Sequence, residues 1–262
     1  MIETDIIIPS YKNEELTVAC FESIKENTQK ETYRIIWIDN GSENISRLKE
    51  SLKETHHIMI HSSENFGFVT AVNIGLVISD APFVCILNND TVVSYRWLEK
   101  LVAALNKSPK LGIVGPVTAP PKIKGRNDSQ HCIGYIEDLA GRRMFSDFMN
   151  LEDFNKEIEI KFNGVLAEVS FVAFLCAVIK REVINKIGLL DINYAMGMWD
   201  DNDYNFAVRK AGYETKLLYD TCIYHRGRST FNLIQEKEGF DVDSLLKSNR
   251  KYLDQKWGLK NA

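Results

Sequence analysis

Hydrophobic positions recur along this chain with two periods, and the change from one to the other marks its elements. Asp5 to Pro9 is a short apolar run that reads as a strand, and Glu14 to Thr28 carries Leu16, Val18, Ala19, Phe21 and Ile24 at helical spacing. The same pattern predicts strands at Tyr33 to Ile38, His57 to His61, Pro82 to Leu87 and Leu111 to Val117. Between them fall helices at Glu43 to Glu54, Phe68 to Ser79 and Tyr95 to Asn106, with a turn at Asp39 to Ser42. Strands separated by helical patterns, each followed by a polar loop, predict βαβ units. The expected fold is α/β, with a mostly parallel central sheet flanked by helices and a first half of the nucleotide-binding type.

Beyond Val117 the texture changes. TAPPKIKGRNDSQ is rich in proline and turn formers and reads as a long loop or linker, and Ile133 to Glu168 gives conflicting signals that assign no element. Clearer patterns return with a strand at Val169 to Ile179, helices at Arg181 to Ile187 and Asp200 to Ala211, and strands near Lys216 to Tyr219 and Thr221 to His225. A final amphipathic helix runs from Asp241 to Trp257. No internal repeat appears, which excludes solenoids and arrays.

Composition narrows the class. With 262 residues, 45% of them hydrophobic and 26% charged, the chain is sized for one large domain or two small ones. A formal net charge of -4 argues against broad nucleic-acid binding. Five cysteines, odd in number, far apart and without a CxxC pair, exclude a zinc or disulfide framework and fit reduced thiols in a cytosolic compartment. MIETDIIIPSYKNEE has no basic region before its apolar stretch, so it is not a secretory signal. Val169 to Ile179 is the longest apolar stretch and is too short for the ~20 residues of a membrane span.

Two acidic clusters carry the candidate chemistry. In WDDNDYNFAVRKAGY, Asp200, Asp201 and Asp203 follow Trp199 and open a helix. Acidic residues favour a helix's first turn, so capping accounts for one of them. Upstream, FVCILNND is a mostly apolar stretch ending in Asn88, Asn89 and Asp90, the pattern of a buried strand that delivers side chains to the carboxyl edge of a sheet, where open α/β folds bind ligands. Together the clusters make a metal and base constellation.

In chain order, IIIPSYKNEE, IDNGS, ENFGFVTAVNIG, LNNDTVV, the Asp200 block and YHRGRS resemble the inverting glycosyltransferases of family 2. The resemblance runs from about Ile6 to Ser229, leaving Pro120 to Glu168 unmatched. It implies a GT-A fold of one domain, Rossmann-like in its N-terminal half: a nucleotide-sugar-binding half at 1–117, an acceptor and catalytic half at 118–230, and a C-terminal helical segment at 231–262. It implies transfer from a nucleotide diphosphate sugar, UDP- or dTDP-linked, with Mn²⁺ or Mg²⁺ neutralising the leaving diphosphate. Asp90 matches the last aspartate of the family's DxD motif and is the expected metal ligand, with Asn88 in place of the first aspartate and Asn89 between them. An Asn-Asn-Asp turn after a strand is the plainer reading of the same residues. His225 matches a histidine that completes the metal site in the family, and a lone histidine is otherwise an ordinary hydrogen-bonded side chain. Arg226 and Arg228 pair with the diphosphate or solvate a loop. The other histidines, His56, His57, His61 and His131, match no motif.

Asp201 matches the catalytic aspartate, the base for the attacking hydroxyl, while Asp200 replaces the family's glutamate and binds the donor or acceptor sugar. Asp203 is read as a helix cap. Trp199 either stacks on a sugar ring or belongs to the core. The resemblance places Pro9, Ser10, Tyr11 and Glu14 on the base and ribose. Asp39 is placed there too, although in Asp-Asn-Gly-Ser it is equally a turn residue. It also implies that Asn65 and Gly67 admit the nucleotide at a helix start, with Asn73 facing the site further along. The β-branched Val69 and Thr70 depart from the family's usual small residues.

The acceptor is a glycan or lipid-linked hydroxyl by resemblance, in bacterial surface polysaccharide synthesis. The Asp241 to Trp257 helix, with Lys247, Arg250, Lys251 and Lys256, has two readings: peripheral contact with the inner membrane face, or a packed helix with a solvated side. Two other function classes compete. A nucleotidyltransferase would carry a glycine-rich basic loop after the first strand, which SYKNEE is not. A catalytically silent nucleotide-sugar-binding module would have no need of Asp90, Asp201 and His225 together.

Overall fold

The computed structural model describes residues 2–119, 151–227 and 229–259. The first strand shows how the architecture arises. β1 (Thr4–Ser10) is buried at every position, and its alternating side chains feed two separate cores: Ile6 and Ile8 enter one, Ile7 the other. β2 (Tyr33–Asn40) repeats the division, with Ile35 and Trp37 on one face and Ile36 and Ile38 on the other. β4 (Phe83–Leu87) does the same with Cys85 and Leu87 against Val84 and Ile86. A sheet apolar on both faces needs helices on both.

Both faces receive helices. α1 (Glu14–Asn27), α2 (Ser46–Leu52) and α4 (Trp97–Asn106) cover one face through residues such as Phe21, Leu48 and Trp97. The other face is covered by α3 (Phe68–Ile78), α6 (Arg181–Ile187), α7 (Asp200–Lys210) and α9 (Val242–Trp257), through Val72, Val183, Tyr204 and Leu253. A smaller cluster joins Val117, Cys222 and three residues of α5 (Leu151–Phe162).

Among the described residues one sheet of nine strands runs through both halves of the chain, in the order β3-β2-β1-β4-β8-β6-β9-β5, with β7 also on β9. The remaining strands are β3 (His57–Ser62), β5 (Thr91–Val93), β6 (Leu111–Ala119), β7 (Leu166–Glu168), β8 (Cys176–Lys180) and β9 (Glu214–His225). The expected α/β fold is present. The sheet is mixed: β1 to β4 are parallel neighbours, β6 pairs parallel with β9, and β4·β8, β6·β8, β5·β9 and β7·β9 are antiparallel.

The expected elements of the first half are found to within a few residues, and the short strand β5, three residues long, is an addition that no pattern in the sequence predicted. In the second half the apolar stretch from Val169 becomes a strand only at Cys176. Before that, the Asn205 side chain accepts from Val172 N at 3.1 Å and donates to Val172 O at 2.9 Å, taking the backbone groups a neighbouring strand would need. The two short strands expected around Asp220 are one continuous β9. The conflicting stretch Ile133 to Glu168 contains α5 and β7 in its described part, and most of the expected proline-rich loop lies outside the described residues. No described helix is long and apolar enough to cross a membrane. The four described cysteines, Cys20, Cys85, Cys176 and Cys222, are buried and unbridged.

Candidate active site

A cavity of about 450 Å³ opens at the carboxyl end of the central strands. Pro9, Ser10 and Tyr11 reach it from the end of β1, Asn88, Asn89 and Asp90 from the end of β4, and Trp199, Asp200 and Asp201 from the start of α7. Asn65 and His225 are the other expected site residues in its lining. Segments spread over more than two hundred residues thus meet in one place.

Strand pairing brings Asp90 and His225 together. β5 and β9 are antiparallel with Thr91 opposite His225, and the ladder continues as Arg226 N donates to Asp90 O at 3.1 Å. Asp90 Oδ1 therefore lies 3.2 Å from His225 Nε2, both side chains being largely buried. Burial alone would raise the Asp90 carboxyl and is the largest single influence on it, but the hydrogen bond to His225, the electrostatic attraction of that imidazole and smaller hydrogen-bond contributions together hold it below the usual carboxylate range. A carboxylate oxygen and an imidazole nitrogen on adjacent strand ends are a donor set that suits Mn²⁺ and, less closely, Mg²⁺. No group of three His, Cys, Asp or Glu side chains assembles among the described residues. Protein ligands of these types would therefore number two, leaving further positions for phosphate and water oxygens, as is common where a divalent ion is shared with a nucleotide.

Asp200 and Asp201 occupy the first turn of α7, which begins after a distorted segment. Backbone φ is positive at Ala195 (46°), Gly197 (100°), Met198 (69°) and Trp199 (69°), a costly run for residues with side chains. It is held from two sides. Val69 N donates to Ala195 O at 3.1 Å, and the buried Asn249 amide of α9 donates to Tyr194 O, Gly197 O and Met198 O at 3.3, 2.9 and 3.2 Å. Asp200 is 5% exposed, and its Oδ2 has no hydrogen-bond partner among the described residues. Burial, followed by the neighbouring Asp201 charge, pushes the Asp200 carboxyl well above the usual range. Asp201 is more accessible and accepts from Asn202 N at 2.8 Å. Asp203 is not a cap: its carboxylate receives Trp257 Nε1 at 2.7 Å and Lys256 Nζ at 2.8 Å, tying α7 to α9.

Other expected site residues have neighbours that give them different work. Asn73 faces away from the cavity and exchanges two 2.9 Å hydrogen bonds with the Leu190 backbone, stapling α3 to the loop before the 3-10 turn Ile192–Tyr194. Gly67 starts α3 at φ 87°, and a Cβ there would lie 2.6 Å from Ala195 O, so the close approach it permits is to this chain rather than to a nucleotide. Glu14 lies outside the cavity lining, with Arg47 Nη1 3.5 Å from its Oε1. Asp39 is fully buried below the end of β2, where Ser10 Oγ (3.3 Å), Ser42 Oγ (2.6 Å), Ser42 N (3.2 Å) and His61 Nδ1 (2.7 Å) surround its carboxylate. His61 thus has a partner no motif suggested. Arg226 is exposed and outside the lining, and Arg228 lies outside the described residues.

The motifs also missed contributors. Asn40 bridges Asn65 Oδ1 at 2.8 Å and Gly67 O at 3.2 Å, locking the α3 loop against the end of β2. Thr230, Phe231 and Ile234 of α8 (Ser229–Glu238) form a wall, and Glu238 at its end accepts from the Tyr11 hydroxyl. A hydrophobic stripe in STFNLIQEKE was the available signal, but only Ile234 of it is buried.

The model of the family described as Glycosyl transferase family 2 matches residues 5–188. Among curated proteins, the chain is 22% identical over 233 residues to Polypeptide N-acetylgalactosaminyltransferase 4 of Caenorhabditis elegans, covering 86% of this chain and 38% of that protein. It is 30% identical over 113 residues to an uncharacterized glycosyltransferase of Haemophilus influenzae, covering 42% of this chain and 35% of that one. The chain spans well under half the length of these curated relatives. Its fold is similar to that of S. aureus TarS 1-349 in complex with UDP-GlcNAc (TM-score 0.61, 12% identity, 85% of this chain and 58% of that one). GalNAc-T7 with UDP, GalNAc and Mn²⁺ is similar too (TM-score 0.64, 14% identity, 99% and 57%). So is the mannosyltransferase PcManGT of Pyrobaculum calidifontis in complex with GDP-Man and Mn²⁺ (TM-score 0.58, 17% identity, 96% and 69%).

Proposed function

The chain belongs to glycosyl transferase family 2, and on that premise we propose that it is a metal-dependent, inverting transferase moving a sugar from a UDP- or dTDP-linked donor to a hydroxyl of a glycan or lipid-linked acceptor. The observation that carries this reading is the convergence of Asp90 and His225 with Asp200 and Asp201 on one cavity. Asp90 and His225 would hold Mn²⁺ or Mg²⁺, which when bound neutralises charge building on the leaving diphosphate. Asn88 and Asn89, Asn65 with Asn40, and Pro9 to Tyr11 form the polar and backbone wall against which the nucleotide packs. Of these, Asn89 is fixed by its 2.8 Å bond to Thr17 Oγ1.

The two carboxyls of α7 divide the work. A buried Asp200 favours its neutral form and donates a hydrogen bond to a sugar hydroxyl, while the negative charge resides on the more accessible Asp201. Asp201 receives the proton of the acceptor hydroxyl as the new glycosidic bond forms. Attack on the face opposite the leaving diphosphate inverts the anomeric carbon without a covalent enzyme intermediate. Strands from Thr4 to Ala119 and from Leu166 to His225 share one sheet, which supports reading the chain as one GT-A domain. A role in bacterial surface polysaccharide synthesis on the cytoplasmic side is the corresponding setting.

The test is thermal denaturation with a panel of nucleoside diphosphates, each with and without Mn²⁺. A diphosphate at a hundred times its dissociation constant raises stability by about 2.7 kcal/mol. One nucleotide should raise the midpoint only with metal, and Asp90→Ala should remove that shift. No shift with any nucleotide overturns the reading.

A further inference from the structure

A second hollow, a groove of about 920 Å³, runs beside the catalytic cavity between Trp199 and α9. Trp199 and Leu246 line both, so the groove lies directly against the cavity on the side where Trp199 leads into Asp200 and Asp201. Its outer wall is made by Lys247, Arg250 and Lys251, with Asp254 the only acidic residue in the lining. Helical spacing explains the cluster, since positions three and four apart share one face. Asp254 is taken up by Arg250 at 2.8 Å, and the Arg250 guanidinium sits 4.9 Å from the centre of the Trp199 ring. Lys247 and Lys251 are exposed and form no ion pair among the described residues. The Trp199 indole N–H is buried without a partner among the described residues. In a chain of net charge -4 this is a local concentration of positive charge, not the overflow of a basic protein.

We infer that this groove is the acceptor subsite and that the acceptor carries phosphate groups, which Lys247 and Lys251 engage while its reactive hydroxyl lies beside Trp199 and Asp201. The inference rests on the transferase reading above. An ammonium on a flexible stem is a natural point contact for phosphate, and an aromatic face flanked by a guanidinium suits a sugar ring next to it. The same helix does not fit a membrane surface. Its apolar residues are committed inward: Leu253 is 2% exposed, Tyr252 packs edge-on against Tyr194, and Trp257 stacks on Phe206. Only Leu245 and Leu246 of its large apolar residues stay half-exposed outside these contacts, too little for the broad apolar face that enters an acyl boundary. The cations line a concave wall that leads to the base, which positions a substrate rather than an anchor.

The test uses labelled short inorganic polyphosphate followed by fluorescence anisotropy, with vesicles of phosphatidylglycerol as a second arm. Wild-type protein should bind the soluble polyanion with an affinity that falls as salt rises, and Lys247→Ala with Lys251→Ala should weaken binding about tenfold. Lys247→Arg with Lys251→Arg should restore it. Lys49→Ala with Lys53→Ala, on α2 across the sheet, should leave it unchanged. Equal binding by the Ala pair, equal loss in the α2 control, or binding to vesicles but not to polyphosphate each overturns the inference. Nucleoside diphosphate shifts with Mn²⁺, measured on the same proteins, report on the donor site separately. Their absence alongside intact polyphosphate binding would sink the transferase reading and leave the anion groove standing. Their presence without polyphosphate binding would do the reverse.

Discussion

Asn249→Leu should uncouple catalysis from donor binding. Asn249 is 6% exposed and its amide serves three carbonyls of the segment that presents Trp199, Asp200 and Asp201. Leucine keeps the volume, so no cavity opens. Tyr194 O retains the Gly197 N–H at 2.9 Å, but Gly197 O and Met198 O lose their bonds to the amide. Leaving two buried carbonyls unsatisfied costs about 2–4 kcal/mol, which for a chain of this size lowers the melting midpoint by about 4–8 °C. The second consequence is local. Met198 and Trp199 sit at φ 69° against an intrinsic cost of about 1 kcal/mol each, and without the amide the segment relaxes. Asp201 then moves, and kcat for nucleotide release from the donor should fall at least about tenfold, since a displacement of about 1 Å at a catalytic group costs a hundredfold. Affinity for the nucleoside diphosphate with Mn²⁺ should hold, because Asp90 sits in the turn between β4 and β5 and His225 ends β9, away from the Asn249 contacts. A midpoint within 1 °C or so of wild type together with an unchanged rate would show that the Asn249 bonds do not hold the segment.

Asp201→Asn should bind donor and metal as wild type does while transfer falls to background, since shape is kept and only the proton acceptor is lost; near-normal turnover, measured by product formation, would place the base elsewhere. Asp191→Asn tests the anchoring of α9 through acid stability. Burial alone would raise the Asp191 carboxyl, but Lys256 Nζ at 2.7 Å, the Asn193 N–H at 3.0 Å and the Tyr252 hydroxyl at 2.9 Å hold it down to about 2. A depressed carboxylate contributes stability above its unfolded pKa near 4 and loses it as pH falls toward 2. The gap between wild type and Asp191→Asn in urea denaturation should thus be about 1–2 kcal/mol at pH 7, after discounting for partial exposure, and about half that at pH 3. A gap constant over that range would show that Asp191 is not paired in solution.

How much of this was readable beforehand follows from which interactions are local. Ile6, Ile7 and Ile8 announce a strand buried on both faces, and the helical spacing of Leu16 to Ile24 announces the helix after it, because both patterns are complete within a dozen residues. The antiparallel insertion of β8 between β4 and β6 depends on partners far along the chain, so no local period encodes it. Val169 to Leu175 misleads for a related reason. An apolar run reports burial, and here Asn205 rather than a strand satisfies the backbone of Val172. Motif positions behave likewise. Asp90 and His225 are delivered by strand pairing, whereas Asn73 and Gly67 stand in a similarly convincing motif yet pack against Leu190 and Ala195.

The second half of the chain therefore explains residues of the first. Gly67 is intolerant of a side chain because the segment from Ala195 presses on it, and that segment is distorted because Trp199 must enter α7 with both aspartates turned to the cavity. The segment holds its shape because α9 clamps it through Asn249 and clamps α7 through Asp203. The helix whose exposed lysines line the groove thus also holds Asp201, the proposed base, in position. A phosphate-bearing acceptor engaging Lys247 and Lys251 would bind the same helix that fixes Asp201, so acceptor capture and base placement share one rigid element. The Asp90 and His225 pair is built independently, between β4 and β5 and at the end of β9, so the proposed donor end can fill first without disturbing that element.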